Sequence, residues 1–302
     1  MTLAEPTAEP PRAAGPVPAG PPAAGRLLDA AAAGSLGGAG PLEVRLAERR
    51  SEIQAAQRLR YEVFFEEGSA VPDREARLAR RDADGFDAVC DHLVVLDHAV
   101  ASCPFRRGAP AVVGTYRLLR RSVAERHAGF SCTAEFDVAP LLAAQPGAEF
   151  LELGRACVRA SHRSRRTVEL LWQGIWAYVL RHRIAALIGC ASLPGTDPHR
   201  LALPLAFLHH HARSPDPWRV RARPDRYVRT DLLPPELVDP RTAWKALPPL
   251  LKGYLRVGAT FGDGAVVDDG FGTTDVFAVM PVAAVSARYV GHFGPAANRY
   301  AA

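Results

Sequence analysis

The chain has 302 residues and carries 37 Lys+Arg against 32 Asp+Glu, a formal charge of +5. Its 48% hydrophobic, 23% charged and 8% aromatic residues match a globular protein with ample material for a core, which excludes collagenous, coiled-coil and wholly disordered architectures. The basic balance favours acidic partners without choosing among nucleic acid, anionic lipid and acidic protein, and no apolar run approaches the roughly 20 residues of a membrane-spanning helix.

Residues 1–40 are almost entirely Ala, Pro and Gly. So few bulky apolar groups cannot offset the entropy of ordering, which predicts a disordered tail with the domain starting near Pro41. The stretch lacks the basic start and Leu/Val-rich core of a signal peptide. Next, Leu42–Leu46 alternates apolar and polar residues, as a half-buried strand does. Ser51 is placed to cap a helix in which Ile53, Ala56, Leu59, Val63 and Phe64 recur at helical spacing. A charged loop ending at residues 82–87 leads to strands over 92–96, 111–119 and 150–158. After a basic loop, Thr167 opens a long helix, residues 168–183, followed by a strand over 184–190. Asp197 is expected to cap a helix reaching about Leu208, and a Pro/Arg-rich segment follows. Residues 266–270 and 275–279 read as a hairpin. There is no internal repeat. The pattern predicts one mixed α/β (α+β) domain over 41–302, completed by a C-terminal part from about residue 197.

Several motifs have bland explanations. His92 and Asp97 spell the HxxxxD signature of glycerolipid acyltransferases, but Leu-Val-Val-Leu between them is an extended strand that holds the pair roughly 16 Å apart. His209, His210 and His211 are helix neighbours that do not face one another, and no carboxylate sits nearby at a helpful spacing. Asp263, Asp268 and Asp269 lack the calcium-loop pattern and fit turn chemistry, so no metal site is expected. The five cysteines (Cys90, Cys103, Cys132, Cys157, Cys190) form no CxxC pair, which argues against a disulfide framework or zinc ribbon and fits a reducing cytosol. Cys157 with His162 invites a nucleophile reading, against which stands that of a small buried hydrophobe. Arg155, Arg159, Arg163, Arg165 and Arg166 lack the interleaved aromatics of a nucleic-acid surface. They do lie between a strand and the first turn of the Thr167 helix, where backbone N–H groups and the helix dipole attract anions. On residues alone, a phosphate-binding loop and a solvated basic turn both remain open.

These residues carry a resemblance. Leu59-Arg60-Tyr61-Glu62-Val63-Phe64, Asp84-Gly85-Phe86-Asp87, Cys90-Asp91-His92-Leu93, the run from Val113 to Leu119, Glu135-Phe136-Asp137 and Leu151-Glu152-Leu153-Gly154-Arg155 occur in that order. With the more specific LPPLLKGYLR segment from Leu247 to Arg256, residues about 42 to 293 resemble the ornithine-acyl-carrier-protein N-acyltransferases, makers of the lyso precursor of bacterial ornithine lipids. These belong to the GNAT superfamily and are similar in fold to autoinducer synthases, which lack that last segment. His162 departs from the pattern, which has a Tyr ahead of the arginine. No glycerolipid-acyltransferase half is present, so only the N-acylation step is implied.

The resemblance implies a GNAT-like central mixed, mostly antiparallel sheet flanked by helices, and direct attack of an amine on a pantetheine thioester. It makes Glu152 the candidate base, with an ion pair to Arg155 or Arg117 as the competing role. Arg155 joins it in the catalytic set, and backbone N–H groups around Ala156, Cys157 and Val158 become oxyanion donors. Arg163, Arg165, Arg166 and Thr167 would take the pantetheine phosphate and the acidic face of acyl carrier protein. Asp84, Asp87 and Asp137 would meet the ammonium groups of ornithine, and Arg60 or Arg117 its carboxylate. The implied co-substrate is 3-hydroxyacyl-acyl carrier protein, with no cofactor, metal or nucleic acid. The implied location is cytoplasmic, with loose contact at the inner membrane because the product is an amphiphile. The rivals are N-acylation of glutamine or lysine, autoinducer synthesis, and a non-catalytic module that binds carrier protein or membrane.

Overall fold

The alternation of branched apolar and polar residues in the middle of the chain builds long strands, and a sheet assembled from them carries the rest. A computed structural model of the chain describes residues 34–101 and 109–285. Ten strands run β1 (Ser35–Ala39), β2 (Leu42–Leu46), β3 (Asp91–Ala101), β4 (Pro110–Arg120), β5 (Phe136–Asp137), β6 (Phe150–Val158), β7 (Ala186–Pro194), β8 (Arg221–Ala222), β9 (Thr260–Asp268) and β10 (Thr273–Pro281). The helices are α1 (Arg50–Tyr61), α2 (Arg74–Ala79), the single turn α3 (Arg121–Ala124), α4 (Ala139–Ala144), α5 (Arg165–Arg181), α6 (Ala202–His211), α7 (Pro240–Ala246) and α8 (Pro249–Val257). The strands form one sheet in the order β1-β2-β3-β4-β6-β7-β10-β9-β8-β5. Its ladders are antiparallel except β6–β7 and β8–β9. This is the mixed, mostly antiparallel α/β architecture expected from the sequence.

One boundary moves. β1 lies inside the stretch whose composition predicts a tail, because it is held by ladder bonds to β2 and by a buried Leu36 rather than by many large side chains. Gly37 also lets α5 come close, since a Cβ there would lie 2.4 Å from the Gln173 amide. The rest of the predicted tail, residues 1–33, and everything beyond residue 285 fall outside the described residues.

Helix starts shift for a local reason. α1 begins ahead of Ser51 because the Glu52 carboxylate accepts the backbone N–H of Glu48 (2.9 Å) and Arg49 (3.3 Å) and pairs with Arg45 at 2.7 Å. Burial alone would raise the Glu52 carboxyl, but those donors pull it down to about 2. α5 is capped by Ser164, whose hydroxyl accepts from the Thr167 N–H at 3.3 Å. Asp197 does not cap α6, which starts at Ala202; its carboxylate accepts from His199 N–H at 2.9 Å in the preceding turn.

Two features of the sheet position the site. β6 and β7 pair in parallel only at Phe150–Ala186, Leu151–Leu187 and Glu152–Ile188, yet both strands run on, so they part beyond that point. Gly189 permits the tight contact where they separate, since a Cβ there would lie 2.5 Å from the Leu153 carbonyl oxygen. Just past it, Arg155 adopts a left-handed backbone (φ 52) where the β4–β6 register slips between Thr115 and Arg117. One face of the sheet packs against α5, α6 and α8 through Leu93, Leu153, Leu171, Ile175, Leu205 and Leu251. The opposite face gathers Phe136, Phe150, Ile188 and Phe277, with α1 covering Val94, Leu96 and Cys157. No helix among the described residues is long and apolar enough to cross a membrane.

Candidate active site

Three arginines and three aspartates, scattered along the sequence, meet beside the bulge in β6. Arg60, at the end of α1 and fully buried, donates to Asp82 at 2.7 Å and to both oxygens of Asp87 at 2.8 Å. Arg117 of β4 donates to Asp84 at 2.6 Å and Asp87 at 3.4 Å. Arg155 reaches Asp82 at 3.1 Å and Asp84 at 3.4 Å. The Gln57 amide adds a bond to Asp87 at 2.9 Å. Burial alone would raise the Asp87 carboxyl, but Arg60, Arg117 and Gln57 hold it well below the usual carboxylate range, and Arg117 and Arg155 lower Asp84 in the same way. Here charges balance, three against three. The family resemblance casts Arg60, Arg117, Asp84 and Asp87 as direct contacts for the amino-acid substrate, but they satisfy one another and pin loop 82–87 to the sheet. Asp137 is exposed on β5 and accepts from the Ala139 N–H at 3.2 Å, at the start of α4.

Glu152 also has a fixed task. Its oxygens accept from Ser131 N–H at 2.8 Å, the Ser131 hydroxyl at 2.9 Å and Cys132 N–H at 2.7 Å, in a side chain only 4% exposed. Those three donors clamp the turn at Ser131–Ala134 to β6. Neither anticipated ion pair forms with it: Arg155 and Arg117 both turn to the aspartates.

On the donor side, β6 residues past Glu152 have no ladder partner on β7, and Ala156 lies at the slip in the β4–β6 register. Cys157 points away beneath α1, where burial pushes its thiol far up and removes the nucleophile reading. Its supposed partner His162 instead contacts Asp97 at 3.0 Å and Ser161 at 2.9 Å. Thr167 is fully buried, its hydroxyl 3.1 Å from that of Ser164, so it braces the helix start rather than a ligand. Arg163 donates to the Val158 carbonyl at 3.0 Å and pairs with Glu67. Arg165 pairs with Glu169 at 2.7 Å, and exposed Arg166 has no acidic partner among the described residues. The basic loop is thus real, though part of its charge is already matched.

Other flagged residues are structural. His92 is buried in β3 and contacts the Asp87 carbonyl at 3.0 Å, remote from any pairing with Asp97. His209 bonds Thr230 at 3.0 Å and His210 bonds the Leu233 carbonyl at 2.9 Å. Asp268 accepts from Gly270 and Phe271 N–H, the turn chemistry its sequence suggested.

Sequence reasoning missed a second charge cluster. Glu135, Asp268 and Asp275 bring carboxylate oxygens within 4.8 Å of one another, a set that suits an ammonium group or a divalent cation. Among the described residues Arg226 lies 3.7 Å from Glu135, and the Arg155 charge also acts on Asp275. Burial, then Asp275, raises the Glu135 carboxyl; burial also raises Asp275, which accepts from the Thr273 hydroxyl at 2.9 Å. Cys190 donates its thiol to Glu135 at 3.2 Å. Asp275 pairs in register with Ser192 of β7, past the point where β6 and β7 part. Arg155 lies 4.8 Å over the Phe271 ring in the β9–β10 turn and so links the two clusters. The available signal was the hairpin itself, which sets Asp268 and Asp275 on neighbouring strands.

A mostly antiparallel sheet that opens between two parallel strands, with a basic helix start on one side and partly buried carboxylates on the other, has the architecture of the GNAT class of N-acyltransferases. Residues 59–173 match the acetyltransferase (GNAT) domain model. The chain belongs to the family of L-ornithine N(alpha)-acyltransferases: it is 50% identical to the Rhizobium meliloti (strain 1021) protein of that name, over 91% of this chain and 92% of the relative. It is 51% identical to the Brucella abortus (strain 2308) protein, over 88% and 93% respectively. A solved CoA-dependent acyl-homoserine lactone synthase, BjaI, shares 14% identity at a TM-score of 0.43, with 82% of this chain and 83% of that chain covered.

Proposed function

We propose that this enzyme transfers a 3-hydroxyacyl group from acyl carrier protein to the α-amine of ornithine, giving lyso-ornithine lipid. The observation that carries the reading is the roughly 50% identity, across about nine-tenths of the chain, to proteins named for ornithine Nα-acylation.

The chemistry needs a neutral amine, an oriented thioester and a place for the negative oxygen. Ornithine enters as a cation, and the Glu135–Asp268–Asp275 cluster, whose nearby cations are Arg226 and an Arg155 already paired with Asp82 and Asp84, complements it. The cluster takes the side-chain ammonium, which leaves the α-amine to reach the thioester as the neutral nucleophile. Glu152, the base suggested by its place in the family motif, has both oxygens occupied by donors. The freed amine attacks the thioester carbonyl, and backbone N–H groups of the parted β6 stabilise the oxyanion. Collapse forms the amide, breaks the C–S bond and releases the carrier thiolate, which takes up a proton. Arg163, Arg165 and Arg166 face the phosphorylated arm and acidic surface of the carrier, where charge complementarity mainly speeds encounter. The amphiphilic product implies loose contact with the inner membrane.

The test is reconstitution: purified protein, 3-hydroxyacyl-acyl carrier protein and ornithine, with free thiol and N-acylornithine measured together. Stoichiometric appearance of both supports the reading. No amide with a confirmed loaded carrier, or preferential acylation of lysine or glutamine, overturns it.

A further inference from the structure

Two buried tyrosine hydroxyls sit in otherwise apolar surroundings next to the β6–β7 gap. Tyr116 of β4 lies at the register slip opposite Arg155 and Ala156 and is 4% exposed. Tyr254 of α8 lines an apolar pocket with Leu153, Leu187, Gly189, Ala259, Ala278 and Met280, and Leu153 and Gly189 mark the point where the strands part. The two phenolic oxygens are 3.5 Å apart, and among the described residues each is the other's hydrogen-bond partner. That is well beyond the roughly 2.7–2.8 Å of a good O–H···O bond, so both hydroxyls keep unused donor and acceptor capacity. Buried hydroxyls in apolar walls are costly unless something completes their bonding.

We propose that the Tyr116–Tyr254 pair reads the 3-hydroxyl of the incoming acyl chain, making these two tyrosines the residues that select hydroxylated over plain fatty acyl donors. The proposal rests on the 3-hydroxyacyl reading given above. A hydroxyl two carbons from the thioester carbonyl falls near the bulge when the thioester lies along β6, and it can bond both phenols at once. A plain acyl chain entering the same pocket leaves the pair as poorly bonded as before. A site built to bond a substrate hydroxyl discriminates far more strongly than an apolar pocket does.

The experiment compares 3-hydroxyacyl and unsubstituted acyl carrier proteins of equal chain length, with ornithine, on wild type, Tyr116→Phe and Tyr254→Phe. Both substitutions keep the ring and its volume, and thermal melts confirm folding. The expected result is a wild-type preference for the hydroxylated donor, cut roughly tenfold in kcat/KM ratio by either variant, with the plain donor nearly unaffected. An equal loss on both donors, or an unchanged ratio, overturns the assignment. If wild type acylates ornithine from both donors without preference, the selectivity role falls and the transfer reading stands. If wild type forms no N-acylornithine from either donor, the transfer reading falls and takes this inference with it.

Discussion

Two clusters of charge lie on either side of Arg155 and behave in opposite ways. In the first, Arg60, Arg117 and Arg155 balance Asp82, Asp84 and Asp87 at 2.6–3.4 Å, and their hydrogen bonds close on one another. In the second, Glu135, Asp268 and Asp275 crowd together, with Arg226 3.7 Å from Glu135 and an Arg155 whose charge is already shared with Asp82 and Asp84. A balanced buried network holds a loop in place and has little left for a ligand. An unbalanced one is uncomfortable by itself and is relieved by an incoming cation. Conspicuous motif residues therefore build the scaffold, and the quieter cluster is the one whose charge is left unbalanced.

The largest expected effect comes from breaking the balanced cluster. Asp87→Ala leaves Arg60 buried with half its partners and should cost about 3–5 kcal/mol in chemical unfolding, with activity lost alongside the fold. A variant as stable as wild type would show that the network is not structural. Glu152→Gln comes next: replacing a carboxylate that accepts three donors should cost about 1–3 kcal/mol, while turnover per folded molecule stays near wild type. A hundredfold fall in turnover without loss of stability would return the base role to Glu152.

Titration should separate the clusters by sign. Asp84 and Asp87 are held down, so their pairing stabilises the fold in full above the ordinary carboxylate range, and that contribution is lost as the pH falls. Glu135 and Asp275 are raised, so their contribution is present at low pH and is lost as the pH climbs through their elevated values. Asp275→Asn should accordingly raise the melting temperature at neutral pH, with the gain vanishing toward about pH 4. A gain independent of pH would contradict the crowding. The smallest effect is at the carrier loop: replacing Arg163 and Arg166 with Ala should raise KM for the carrier a few-fold, leave kcat alone and flatten the salt dependence. An unchanged salt dependence would remove that loop from docking.

The long strands were legible because branched residues alternate or run together there, and β6 matches its predicted limits residue for residue. The Glu52-anchored start of α1 was not legible, since it depends on Arg45 of a neighbouring strand. β1 was missed because Gly-rich edge strands are held by backbone pairing that composition does not register. For the site, the sequence marked Arg60, Asp84, Asp87, Arg117, Glu152 and Arg155 as important but could not show that burial pairs them with one another or with turn backbone. The Glu135–Asp268–Asp275 cluster depends on a hairpin register and on a turn from elsewhere in the chain, and neither is local.

The most direct test compares ornithine with norvaline, which has the same carbon skeleton but no δ-ammonium, as acceptors for wild type, Glu135→Gln and Asp275→Asn. The unbalanced carboxylates predict a strong wild-type preference for ornithine that either variant largely erases, with the fold intact. A preference that survives in both variants would place the cationic acceptor elsewhere and contradict the account.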